Sequence, residues 1–110
     1  VPNAGSLTRK VFQKYWYYTG IPYHTFNYSE KNLIILMEKN GFSVERIRYT
    51  SSWQGIFGSL AIFLNRNTHK KSLNSILTKR FFRIIGIILS KFCDIMSKGD
   101  CIEIYATKKL

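Results

Sequence analysis

His24 stands in a ring-rich run, Pro22-Tyr23-His24-Thr25-Phe26-Asn27-Tyr28. An imidazole with its usual pKa of about 6.5 is mostly neutral at pH 7. It can then take a proton from a hydroxyl or amine that is about to act as a nucleophile. The same side chain could instead tie its loop to the backbone, and the sequence leaves both roles open. Trp16, Tyr23, Phe26 and Tyr28 could wall an apolar acceptor pocket or serve as packing. Asn3 falls where a strand gives way to a loop, a position at which open α/β sheets hold ligands, or it is a plain turn former.

The other reactive side chains form no motif. Cys93 and Cys101 are eight apart, with no C-x-x-C and no Cys/His cluster at metal spacing. They read as free thiols of a reducing compartment, one buried on a helix and one opening a strand. His69 is 45 positions from His24 and makes no pair with it. The chain carries 17 Lys and Arg against 6 Asp and Glu, a net charge of +11. That balance favours anionic partners or solubility. It is concentrated: from Arg46 to Cys93 there are nine Lys or Arg and no acid. With the apolar stretches Trp53–Leu64 and Leu73–Ile95, this run suits a segment lying on an acidic membrane, a cover for a lipid-linked acceptor, or a helical lid with a solvated basic face. Its greasiest part, 81–89, includes Arg83 and is too short to span a bilayer, which takes about 20 apolar residues.

These residues must be positioned by a small set of elements. Val11, Phe12, Tyr15 and Trp16 at 3–4 spacing predict a helix over Arg9–Tyr18, broken at Thr19-Gly20. Ile21-Pro22 forces extended backbone, so 23–28 is a loop. Ser29 is an N-cap for a helix over Glu30–Asn40, and Gly41 sits at its left-handed end. Phe42–Tyr49 alternates apolar and polar as a half-exposed strand. Trp53–Leu64 is a loosely packed helix or a flap, with glycines at 55 and 58. Ser72–Met96 carries one continuous apolar stripe and forms one long helix or two shorter ones. After the turn Ser97–Asp100, Cys101–Ala106 is the last strand. Two strands alone are marginal and leave edges open.

Val1-Pro2-Asn3, Trp16, Pro22-Tyr23-His24, Tyr28-Ser29 and Gly41-Phe42-Ser43-Val44 together resemble the C-terminal half of class I S-adenosylmethionine-dependent methyltransferases, in the bacterial subgroup acting on small molecules, lipids or glycans. The resemblance covers 1–49, extends to 98–108 and is absent over 53–97. It implies an α/β fold: the C-terminal portion of a Rossmann-like methyltransferase sheet with a helical insertion. Residues 1–49 would be the acceptor-side loop, helix and strand, 50–97 the insertion, and 98–110 the final antiparallel strand and tail. Residues 1–3 would end one central strand, Phe42 would open the next, and Cys101–Ala106 would return antiparallel between them. His24 would be the catalytic base, and Trp16, Tyr23 and Tyr28 would contact a small-molecule, lipid-linked or glycan acceptor.

The family holds S-adenosylmethionine with a glycine-rich turn after its first strand and an acidic residue after its second. Neither is present here, and Gly55-x-x-Gly58 lies in an apolar run. The expectation is therefore a partial domain, not competent alone, cytoplasmic or membrane-peripheral, and able to self-associate through strand edges. A nucleic-acid-binding module fits the charge but shows no helix-turn-helix, zinc or RNA-recognition signature. A helical module that completes a partner's sheet is the remaining alternative.

Overall fold

The computed structural model describes residues 1–20, 24, 26–67 and 76–110. Ser6 opens helix α1 (Leu7–Phe12) by accepting the Arg9 N–H at 3.1 Å. The helix expected over Arg9–Tyr18 does not continue. Gln13 turns to a φ of 50°, and two short 3-10 turns follow, Gln13–Tyr15 and Tyr17–Thr19. Trp16 is the reason. Its indole N–H donates to Thr8 Oγ1 at 3.0 Å. Residues eight apart in an unbroken helix are separated by about 12 Å of axial rise, so the bond requires the chain to fold back.

Helix α2 (Glu30–Lys39) begins as its sequence predicts, with the Ser29 hydroxyl accepting the Asn32 N–H at 3.3 Å. Gly41 takes a φ of 79° and releases the chain into strand β1 (Phe42–Thr50). Helix α2 packs on β1, Leu33 is buried, and the Tyr49 hydroxyl of β1 donates to the Glu30 carboxylate. The alternation of β1 shifts phase at Glu45, which bulges out of the pairing; Thr107 Oγ1 donates to its carboxylate at 2.7 Å.

Helix α3 spans Trp53–Leu64 and helix α4 spans Arg80–Ile95. Part of the stretch expected to be helical over Ser72–Met96, together with His69, lies outside the described residues. The two glycines of α3 are not signs of loose packing. A Cβ on Gly58 would meet the Tyr17 ring at 2.5 Å, and one on Gly55 would overlap the Asp100 carboxylate.

Strand β2 (Cys101–Lys108) pairs antiparallel with β1, from Thr50↔Cys101 to Phe42↔Lys108. Its first residues also use their other edge. The Ile102 N–H donates to Val1 O at 2.8 Å, the Asn3 N–H donates to Asp100 O at 2.7 Å, and Pro2 bridges Cys101 antiparallel. Strand β2 therefore starts between Val1–Asn3 and β1. The result is a mixed α/β structure with a two-stranded antiparallel sheet and four helices among the described residues.

The core is small: Trp16 and Ile102 are the most completely enclosed apolar side chains, with Leu33, Phe57, Leu77 and Cys93 next. The radius of gyration is 15.8 Å, against about 13 Å for a compact domain of this length. Apolar faces are consequently left open.

Candidate functional site

The loop and strand ends that the sequence marks as chemical meet at one end of the sheet, where β1 finishes and β2 begins. Asn3 anchors it. Its Nδ2 donates to Gly99 O at 2.8 Å, its Oδ1 accepts the Gly5 N–H at 2.8 Å, and it bridges Tyr28 in parallel. The Ala4 N–H donates to Tyr28 O at 2.9 Å. Asn3 and Tyr28 are thus brought together by backbone pairing, with the Tyr28 side chain half-buried.

A buried polar junction lies next to them. Asp100 is nearly sealed, and its Oδ1 accepts from Thr8 Oγ1 and from the Trp16 indole N–H at 3.1 Å. The carboxylate rests on Gly55, in the first turn of α3, where the helix dipole favours an anion. Burial pushes the Asp100 carboxyl above its usual range, the bonds from Thr8, Trp16 and Ser6 oppose this, and the nearby Asp94 charge adds to it. Ser51 links the two acids. Its hydroxyl donates to Asp94 Oδ1 at 2.6 Å and accepts the Asp100 N–H at 2.8 Å, while its own N–H donates to Asp94 Oδ2 at 3.2 Å. The junction pins α1, the first 3-10 turn, α3 and the start of β2 to one another.

Trp16 belongs to this junction. It is 1% exposed, so its indole shapes the site from beneath. Its ring meets Tyr18 edge-on at 5.6 Å, and the Tyr18 hydroxyl shares a bond with Ser52 Oγ at 2.9 Å. Burial pushes the Tyr18 phenol up, with the Ser52 bond opposing. His24 is exposed; its backbone N–H donates to Gly20 O at 2.9 Å, and its ring lies against Gly20, where a Cβ would stand 2.8 Å from Cδ2. Phe26 is exposed as well. Tyr23 lies outside the described residues.

A cleft of about 780 Å³ opens between residues 14–17, α3 and residues 77–78. Tyr15, Tyr17, Trp53 and Phe57 supply aromatic wall, and Lys14 and Arg66 supply cations; no acid lines it. The Lys14 ammonium sits 5.1 Å from the Tyr15 ring centre, and the Arg66 guanidinium 4.0 Å from that of Phe63. Its volume lies in the small-molecule range of about 300–1,000 Å³, and its lining suits an apolar ligand with an anionic group.

Sequence reasoning missed Asp100, Thr8 and this cleft. Asp100 looks like an ordinary turn residue in Ser97-Lys98-Gly99-Asp100. The available signal was the pair of glycines in α3, each vacant because a side chain from a distant segment enters there. Among the described residues no three His, Cys, Asp or Glu side chains gather to hold a metal ion, and no helix is long and apolar enough to cross a membrane. No known protein family matches the chain, and no similar curated protein or solved structure is found.

Proposed function

We propose that this chain forms the acceptor side of a class I S-adenosylmethionine-dependent methyltransferase acting on a small-molecule, lipid-linked or glycan acceptor. The observation that carries the reading is strand order. Strand β2 returns antiparallel and starts between Val1–Asn3 and β1, the order the resemblance implies for those three segments. The loop with His24 and Tyr28 leads into α2, which packs on β1, and Tyr28 meets Asn3 at the strand end. Open α/β sheets hold ligands at the carboxyl ends of their strands.

In this reading an acceptor with a long apolar part would extend into the aromatic cleft, which neither His24 nor Tyr28 lines. Methyl transfer from a sulfonium depends chiefly on alignment. His24 is assigned as the base for an acceptor hydroxyl or amine, Tyr23 and Tyr28 as acceptor contacts, and Trp16 as a side chain that fixes the Thr8–Asp100 junction. The cofactor does not fit on these 110 residues alone. The glycine-rich turn and following acid of the family have no counterpart, and Gly55 and Gly58 are occupied by contacts with Asp100 and Tyr17. The isolated chain is therefore proposed to be inactive.

The test is a radiolabelled methyl-transfer assay on the complete reading frame that encodes this chain, with polar-lipid, glycan and small-phenol acceptor pools. Transfer that His24→Ala reduces by at least about tenfold, with folding intact, supports both assignments. Transfer unaffected by His24→Ala removes His24 as the base. No transfer to any pool contradicts the enzyme reading.

A further inference from the structure

We infer that the outer face of α4 is a docking surface for an anionic lipid bilayer, with the helix lying in the plane of the interface. Phe81, Ile84, Ile88, Phe92 and Ile95 recur at spacings of three and four and form one stripe. The stripe faces away from the protein: Phe81 is 68% exposed, Ile88 63%, Phe92 60% and Ile95 82%. With Ile85, Leu89 and Met96, the apolar sector covers about 140° of a helix about 24 Å long. Surfaces of this size and chemistry mark a binding face.

The inward face of α4 is already occupied, which fixes the direction of the stripe. A Cβ on Gly86 would lie 2.7 Å from the Trp53 side chain and 2.9 Å from Phe57. Ser90 Oγ donates to Ser52 O at 2.9 Å, Cys93 is buried, and Asp94 holds Ser51. Small residues set α4 tightly on α3, with Phe82 edge-on to Phe57 at 5.6 Å, and the large apolar side chains of the stripe are turned outward.

Charge selects the occupant. Arg80 and Lys91 border the stripe on one flank, and Arg83 lies further round, its guanidinium 5.4 Å from the Trp53 ring centre. Long basic side chains at such an edge can lay their stems on the apolar surface and reach lipid phosphates. No acid occurs from Arg46 to Cys93, and both oxygens of Asp94, the acid of α4, are engaged by Ser51. A second copy laid against this face would offer Arg80 and Lys91 no acid from the outer side of α4, since Asp94 lies on the inward side against Ser51. An anionic bilayer provides the counter-charge and accepts the apolar stripe together. The inference stands on α4 alone and does not depend on the methyltransfer reading.

The experiment is flotation of the 110-residue chain with vesicles of phosphatidylcholine alone or mixed equally with phosphatidylglycerol, at about 0.15 M ionic strength. Circular dichroism and size-exclusion chromatography accompany each variant. The chain should float with the mixed vesicles at least about tenfold more than with neutral ones, since each cation near an anionic surface is worth about fivefold. Ile88→Glu and Phe92→Glu should each abolish flotation with the spectrum unchanged, because both side chains are already in water. Arg80→Gln with Lys91→Gln should weaken it by roughly twentyfold or more. Absence of flotation overturns the inference. Flotation that Ile88→Glu and Phe92→Glu leave intact also overturns it, since the chain would then adsorb through another surface. A dimer that Ile88→Glu dissociates, without flotation of the parent, assigns the face to a second copy and overturns it too.

Discussion

Gly55→Ala tests the buried junction on which the site rests. A methyl at this position would stand 2.7 Å from Cγ of Asp100 and overlap its nearer oxygen. Backbone of α3 cannot yield without disturbing Ser59, whose hydroxyl donates to Gly55 O at 2.5 Å and accepts the Tyr17 N–H at 2.9 Å. The carboxylate must therefore retreat by about 1 Å or more to reach ordinary van der Waals distance. That retreat stretches the bonds to Oδ1 from Thr8 and from Trp16. Each hydrogen bond to a charged group is worth about 1.5–3 kcal/mol. Alanine returns about 1 kcal/mol through helix propensity. The net loss should be about 2–5 kcal/mol, or a fall in Tm of about 10–20 °C for a domain of this size. Thermal and urea unfolding followed by circular dichroism read the loss, and tryptophan fluorescence in a Trp53→Phe background reports the environment of Trp16. A variant within about 0.5 kcal/mol of the parent would refute the claim that Asp100 closes on α3 at Gly55.

Other perturbations check neighbouring parts of the account. Gly86→Ala should destabilise by about 1–3 kcal/mol through overpacking against Trp53 and Phe57, whereas Ile88→Glu should leave urea stability within about 0.5 kcal/mol; equal effects would mean the wrong face of α4 is buried. Ser29→Ala removes the N-cap of α2 and should cost about 1 kcal/mol in the same assay. The Tyr49 phenol, pushed up to about 12 by burial and by Glu30, keeps its proton in the folded protein after an unfolded tyrosine has lost it at 10.0. Its contribution to stability is therefore full below pH 10 and is lost between pH 10.0 and about 12. An absorbance titration should show late phenol ionisation, to which Tyr18 also contributes, and Tyr49→Phe should remove the part near pH 12. Burial pushes both the Cys93 and Cys101 thiols up, so neither should react quickly with a thiol reagent at pH 7, and fast labelling of the folded chain would contradict their burial.

Helix α2 and strand β1 were legible because their determinants are local. Ser29 caps, Gly41 reverses the chain, and Phe42–Tyr49 alternates. The placement of Val1–Asn3 beside β2 was legible only through the family resemblance, since nothing near residue 2 in sequence points to Cys101. The junction was not legible because its members come from positions 6, 8, 16, 55 and 100, and each is an ordinary residue where it stands. The break in the helix expected over Arg9–Tyr18 has the same origin: a bond between Trp16 and Thr8 outweighs helical periodicity. In α4 the periodicity revealed a stripe but not its direction. Gly86, Ser90 and Cys93 are individually unremarkable, and only the close approach of Trp53 and Phe57 shows that the small face is the packed one.

We propose that these residues complete a methyltransferase. Calorimetric titration of S-adenosylmethionine into the protein made from the complete reading frame, beside the 110-residue chain, tests it most directly. The proposal requires stoichiometric binding by the former and none by the latter. A folded complete protein that shows no heat of binding, or equal binding by the 110-residue chain, would contradict it.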